Sequence, residues 1–270
     1  MHLQYARHST LQKAPPDVQD LLFKSGVFSV NECFLPLFED YHYRFHLWGG
    51  RGSGKSHVVS DYVDYLLSLP DYCRIMLLRY IRDDIRRTIW KDFVDRITER
   101  DRLGEYRISY REMTVTHLRT GNELSATGVK SSKAQTAKLK SIAGYTHVVM
   151  EESDEIPKED KTKLIDSVRK KGVKIQIIEM FNTPRKSHYI WDDYTMTPVP
   201  EFEGYYMAEP TKESGIFSIW TDYQTNRQNL NEEWLRRYDN GASAKDRDWY
   251  LTDVRGFIPS GNKGAIYKGW

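Results

Sequence analysis

The 270-residue chain has little cysteine, no long apolar run, no dominant charge and no internal repeat. Each scarcity removes a class of protein. Two cysteines, Cys33 and Cys73, cannot build a disulfide framework. Both lie in mostly apolar surroundings, as buried thiols do, which fits a reducing cytoplasm. The longest apolar runs fall far short of the roughly 20 residues that span a bilayer. The N-terminus is polar and lacks the hydrophobic region of a signal peptide. With 40 basic and 38 acidic residues the formal charge is +2. That balance argues neither for nor against nucleic acid as a partner.

What is present fits a globular protein: 39% hydrophobic and 29% charged residues. The length suffices for one large α/β core plus a small appendage. The chain is organised around His46-Leu47-Trp48-Gly49-Gly50-Arg51-Gly52-Ser53-Gly54-Lys55-Ser56. It matches the phosphate-loop pattern G-x-x-x-x-G-K-[ST]. Glycines let the backbone fold tightly, so that several N–H groups point into one concavity. A helix starting near Lys55 adds its positive end. Lys55 can reach the β- and γ-phosphates, and the Ser56 hydroxyl can ligate Mg²⁺. By chance the pattern arises in about 1% of chains of this length. Context supports it: residues 43–48 read as a strand, and Val58, Val59, Tyr62, Leu66 and Leu67 recur at helical spacing after the loop.

The rest of the chain supplies the other layers. Pro16 opens a short helix through Leu22, and Asn31 caps another over 32–39. Leu69-Pro70 stops the helix that begins at the loop. Residues 74–79 form an apolar run that suits a buried parallel strand. A long helix is predicted over 82–102 from Ile85, Ile89, Phe93 and Ile97. Residues 106–120 and 123–128 read as an ancillary pair of strands turning at 120–123. A helix over 159–170 leads to a strand at 173–181, a loop over 185–195, and short strands at 204–208 and 216–220. Asn231 caps a helix to about 239, and a second helix covers 243–250.

Two further signals bear on chemistry. The strand at 146–150 runs directly into Glu151-Glu152-Ser153-Asp154-Glu155. Acids at the end of a buried strand can hold Mg²⁺ and activate water for attack on a γ-phosphate. They also suit a plain acidic loop capping the helix after Pro157. Asn182, at a strand tip, can sense a γ-phosphate or simply form the turn before Pro184. Basic residues cluster at 79–102 and at Lys130, Lys133, Lys138 and Lys140. Such runs serve either as solvated loops or as surfaces facing DNA or a neighbour's phosphates.

Taken together, these stretches resemble the tailed-bacteriophage terminase large subunits, the motors that package double-stranded DNA into procapsids. The resemblance rests on the run 48–56, on Leu78-Arg79 with Arg86 downstream, and on residues 138–144 leading through Val149-Met150 to Glu151-Glu152. It continues through Phe181-Asn182-Thr183-Pro184 with Ser187-His188-Tyr189, then Tyr223 to Leu230 and Gly264 to Trp270. It implies an α/β fold of the additional-strand, RecA-like P-loop NTPase type. The central sheet would be mostly parallel and flanked by helices. An ATPase core would cover 1–208 and a lid or linker subdomain 209–258. Residues 259–270 would begin a missing C-terminal nuclease domain, so nuclease activity is expected to be absent here.

The resemblance also assigns roles. ATP would be bound by Gly49, Gly50, Arg51, Gly52, Ser53, Gly54, Lys55 and Ser56, with Arg51 touching the γ-phosphate. Mg²⁺ would sit between Ser56 and Glu151, and Glu152 would be the catalytic base. Asn182 would belong to the coupling motif. Arg79, Arg82, Arg86 and Lys140 are candidates for an arginine-finger role, in the same chain or a neighbour. Implied partners are double-stranded DNA, the portal and procapsid, the terminase small subunit and further copies in a ring, in the host cytoplasm. As an isolated domain the chain would be monomeric. Two rivals fit parts of the pattern: another RecA-like motor such as a helicase or partition ATPase, and a nucleotide-gated binding module. The terminase-like tail argues against the first, the Glu151-Glu152 pair against the second.

Overall fold

A computed structural model describes residues 4–24, 26–130, 142–240 and 246–261. Two units form: Met1–Phe45 with Lys55–Met180, and His46–Gly54 with Phe181–Trp270. The first unit holds strands β1 (Gln4–Arg7), β2 (Val27–Val30) and the start of β3 (Arg44–Gly49). It continues with β4 (Arg74–Ile81), β5 (Tyr106–Ser109), β6 (Thr114–His117), β7 (Glu123–Lys130), β8 (His147–Glu151) and most of β9 (Gln176–Asn182). Its helices are α1 (His8–Leu11), α2 (Pro16–Lys24), α3 (Leu35–Glu39), α4 (Lys55–Ser68), α5 (Arg82–Ile85), α6 (Ile89–Glu99) and α7 (Lys158–Ser167).

Within this unit the sheet order is β9-β8-β4-β7-β6-β5. The pairs β9–β8, β8–β4 and β4–β7 are parallel, with Leu78 opposite Met150 and Met150 opposite Glu179. The start of β3 runs beside β9, where the Ile177 N–H donates to the Tyr43 carbonyl at 2.8 Å. Ile75, Leu77 and Leu78 are fully buried. Because successive strand residues face opposite sides, both faces of the sheet are covered. Met76, Leu78, Val148, Met150 and Ile177 pack on Leu164 of α7 and on Val129 and Ile142.

Two sequence expectations change here. The predicted long helix over 82–102 is broken: α5 ends at Ile85 and α6 begins at Ile89. Thr88, at φ −120° and ψ −117°, is the non-helical residue that opens α6. The strand pair expected at 106–120 and 123–128 is three strands. A left-handed Met113, φ +51°, helps turn β5 back as β6, and the two form an antiparallel hairpin. β7 pairs antiparallel with β6 on one side and, on the other, runs parallel to β4 from Arg74↔Glu123 to Ile81↔Lys130. It is therefore a member of the parallel sheet.

α4 and α6 are joined by charge as well as by apolar contact. Asp61 accepts from Arg96 Nε and Nη2 at 2.8 and 3.1 Å and from Arg100 Nη2 at 2.5 Å. Asp64 accepts from Arg100 Nη1 at 3.1 Å and from the Tyr106 hydroxyl. Asp61 and Asp64 are 1% and 0% exposed, and such burial is tolerable only because each charge is paired. A second buried group, Glu179 on β9, is held by Lys161 at 2.6 Å and Arg44 at 2.8 Å.

The second unit begins with the end of β3 and adds β10 (Tyr194–Pro198), β11 (Tyr205–Pro210), β12 (Ile216–Thr221) and β13 (Ile258–Pro259). Its helices are α8 (Glu232–Asp239) and α9 (Arg247–Trp249), the latter running into a π-helical turn over Tyr250–Val254. β12 pairs with β3, and β10, β11 and β13 make a separate three-stranded sheet. β10 starts inside the stretch the sequence predicts as loop. Trp48 packs with Phe181, Trp191 and Ile258, and its indole N–H donates to Ser218 at 2.8 Å. Tyr223, Tyr238, Tyr250 and Val254 form a second cluster. As the sequence predicts, Asn231 caps α8, its side chain accepting from the Trp234 N–H at 2.8 Å.

Candidate nucleotide site

The glycine loop lies in the second unit as far as Gly54. Gly49 has φ +125°, and a Cβ there would stand 2.1 Å from the Thr221 carbonyl. A Cβ on Gly50 would stand 1.8 Å from the Val254 carbonyl. No side chain fits at either place, so these two glycines are fixed by close approach of backbone. Gly52 and Gly54 have φ +72° and +85°, and backbone turns of this kind gather N–H groups into an anion-binding concavity. Two of the expected phosphate donors are engaged elsewhere. The Gly50 N–H donates to the Thr221 carbonyl at 3.0 Å, and the Arg51 N–H to the Asp253 carbonyl at 2.8 Å. These two amides are therefore already engaged within the fold, a restriction no local sequence pattern announces.

Lys55 and Ser56 open α4 in the first unit. Lys55 is buried, and burial pushes its ammonium down to about 7. An ammonium desolvated in this way gains most from an approaching anion. Ser56, half-buried, occupies the first turn of the same helix, whose positive end favours phosphate.

The two acids sit at the carboxyl end of β8 in that unit. Along a strand, consecutive side chains diverge. Glu152 breaks the alternation with left-handed φ +49° and ψ +49°, a conformation that costs about 1–2 kcal/mol for a residue with a Cβ. Both carboxylates consequently reach Arg79 on β4. Its Nη1 lies 3.9 Å from Glu151, and it forms a closer ion pair with Glu152. Burial raises the Glu151 carboxyl, opposed by hydrogen bonds from the Thr88 hydroxyl and Ile89 N–H and by the charge of Arg79. Thr88 and α6 thus bear on the acid, a role that the predicted unbroken helix hides. The exception that a sequence reader can use is a Thr within a helical pattern, a residue type that favours helix starts.

Could these residues hold a magnesium ion? Glu151 Oε2 is buried and accepts no hydrogen bond from the described residues. A carboxylate oxygen in that state suits a hard cation. Among the described residues no group of three His, Cys, Asp or Glu side chains is arranged around one point.

The remaining predicted residues are placed as follows. Arg86 is exposed and its guanidinium reaches the Arg111 carbonyl at 3.4 Å. It does not join Arg79 at the acids. Arg82 is exposed. Lys133, Lys138 and Lys140 lie outside the described residues, as do Gly264 to Trp270. Asn182 ends β9 in the second unit and is exposed. Its neighbour Thr183 donates to the Gly256 carbonyl at 2.8 Å. A Cβ on Gly256 would stand 2.4 Å from the Gly50 nitrogen, so Thr183 is the strand-tip residue tied to the surroundings of the loop.

The sequence profile of the phage terminase large subunit family matches residues 42–256. No curated protein matches the chain in sequence. Among solved structures, the large terminase of a thermophilic bacteriophage superposes with TM-score 0.62 at 14% identity, over 84% of this chain and 53% of that one. The same phage's enzyme in complex with ATP-γ-S gives 0.57 at 12%, over 84% and 52%. The ATPase domain of the Thermus phage P74-26 large terminase gives 0.57 at 11%, over 89% and 97%. The chain thus spans about half the length of the first of these proteins. Identities this low speak for the fold alone, and the fold is the RecA-like P-loop α/β fold of those ATPase domains. The profile match covers most of the chain, from the start of the first core strand to the glycine that backs the loop, and on that ground the chain belongs to the phage terminase large subunit family.

Proposed function

We propose that this chain hydrolyses ATP and that hydrolysis drives double-stranded viral DNA into a procapsid. The observation that carries the reading is the presence, in one unit, of a buried lysine opening a helix and of two consecutive carboxylates at a strand end held by Arg79. Lys55, the Arg51 side chain and amides from residues 52–56 hold the phosphates. Ser56 and Glu151 are the residues that would hold Mg²⁺, which offsets negative charge on the phosphate oxygens when bound. Glu152 orients a water molecule for in-line attack and takes its proton. Arg79 keeps the two acids together. Of the finger candidates, Arg82 and Arg86 are exposed and would serve a neighbouring subunit's nucleotide in a ring, with Lys140 a further candidate. Asn182 with Thr183 passes the state of the phosphate end of the site into the chain beyond β9. The partners are duplex DNA, gripped through its backbone charge, together with the portal, the small terminase subunit and further copies of the chain in the host cytoplasm.

Titration of ATP and a phosphate-release assay test this together. Lys55→Ala is expected to abolish tight binding. Glu152→Gln is expected to bind ATP as the parent does and to hydrolyse it about 10²–10⁴-fold more slowly. Unchanged affinity in the first variant removes the site, and near-normal turnover in the second assigns the base elsewhere. A parent that binds ATP yet releases no phosphate, with or without DNA, fits the nucleotide-gated module instead.

A further inference from the structure

The segment after β12 does more than follow the core. A 3₁₀ helix over Tyr223–Asn229 is capped by Asp222, whose carboxylate accepts from the Gln224 N–H at 2.9 Å and from Arg255 Nε at 2.7 Å. This fixes the segment between two backbone contacts of the loop, at Thr221 and Asp253. From it the Asn226 carboxamide donates to the Gly52 carbonyl at 2.8 Å. A Cβ added at Gly54 would lie 3.3 Å from the Asn226 side chain. Asn229 donates to Asn226 Oδ1 at 2.8 Å, which sets the amide's orientation and turns its NH₂ toward Gly52.

A trans peptide is planar, so its C=O and N–H point to opposite sides. Holding the Gly52 carbonyl from one side therefore aims the Ser53 N–H to the other. We propose that Asn226 is a positioning residue of the nucleotide site: with Asn229 behind it, it fixes the Gly52–Ser53 peptide so that the loop presents its donors to phosphate. The inference rests on the nucleotide reading above. Lys55 brings charge to the phosphates, whereas Asn226 never touches the nucleotide. It acts through the loop, and binding that reshapes the loop also pulls on the segment leading to α8.

The experiment is nucleotide affinity of the whole chain, read with MgADP and MgATP-γ-S, beside the melting temperature of the unliganded protein. Asn226→Ala is expected to weaken both ligands about 5- to 10-fold, the scale of one lost neutral hydrogen bond. Asn226→Asp keeps the shape, removes the donor and sets a carboxylate against the Gly52 carbonyl, so its loss is larger. Asn229→Ala, which leaves Asn226 in place, is expected to cost about 2- to 3-fold, and nothing further in an Asn226→Ala background, because it acts through that residue. Should Asn226→Ala fail to fold, Asn226→Asp and Asn229→Ala still decide. Affinities within twofold of the parent in all three variants, with Lys55→Ala abolishing binding, overturn the proposal. So does an Asn229→Ala loss that persists in full on top of Asn226→Ala, or a fall in melting temperature with no change in affinity. If Lys55→Ala also leaves affinity unchanged, the nucleotide reading itself fails.

Discussion

Replacing Asp61 by alanine measures how α4, the helix that opens with Lys55, is held. Asp61 takes three N–H donors from two guanidinium groups at 2.5–3.1 Å and is 1% exposed. Removing one partner of such a buried pair costs about 3–5 kcal/mol, because the remaining charge stays buried without its counterion. Two residual contacts soften the loss here. Arg100 keeps Asp64 at 3.1 Å, and Arg96 keeps Glu99 at 2.7 Å. The expected cost is therefore at the lower end, about 3 kcal/mol. At about 2–4 °C per kcal/mol for a chain of this order of size, the melting temperature falls by roughly 6–12 °C. Urea denaturation followed by tryptophan fluorescence gives the free energy directly. The control is Lys91→Ala, which deletes the exposed pair with Asp95 on α6 and is expected to leave the midpoint unmoved. Asp61 lies six residues from Lys55, roughly 9 Å along the helix, so nucleotide affinity of the folded protein should stay within twofold. A loss below about 1 kcal/mol refutes the reasoning: water would then be solvating these ions, with the α4–α6 contact held by apolar side chains alone.

Two more expectations follow from the loop and its lysine. Gly50→Ala drives a Cβ to 1.8 Å from the Val254 carbonyl and should destabilise the protein by about 1–3 kcal/mol or more; Gly104→Ala, with nothing among the described residues within 4 Å, is the neutral control in the same melt. Burial holds Lys55 near 7 in the free protein, while bound phosphate favours the charged form. Binding then takes up a proton above that pH, and affinity falls by up to about tenfold per pH unit between roughly 7 and 9. Calorimetry in buffers of different ionisation enthalpy reads that proton uptake directly, and its absence at pH 8 contradicts a neutral Lys55.

Much of the architecture was legible because it is written at short range. The glycine loop, the apolar runs of β4, β8 and β9 and the amide caps at Asn31 and Asn231 each depend on neighbours within a few positions. Local signals fail where a distant partner decides. Ile85, Ile89, Phe93 and Ile97 keep helical spacing straight through Thr88, yet the chain breaks there, where Thr88 and Ile89 turn to the Glu151 carboxylate. The run 123–130 alternates like an edge strand, but pairing with β4 draws it into the parallel sheet. Arg79 reads as one arginine among several until β4 and β8 lie side by side and give it two acids to hold.

The sequence by itself determined the identity of the phosphate-loop residues, the two carboxylates and the strand and helix types around them, since glycine placement and apolar period act within one turn or one strand. Only the tertiary structure decided what grips that loop. The amide of Asn226 meets the Gly52 carbonyl from 174 positions away, and the carbonyls of Thr221 and Asp253 take the Gly50 and Arg51 N–H groups. Backbone groups look alike in every sequence, so which of them meet is settled by how the chain packs.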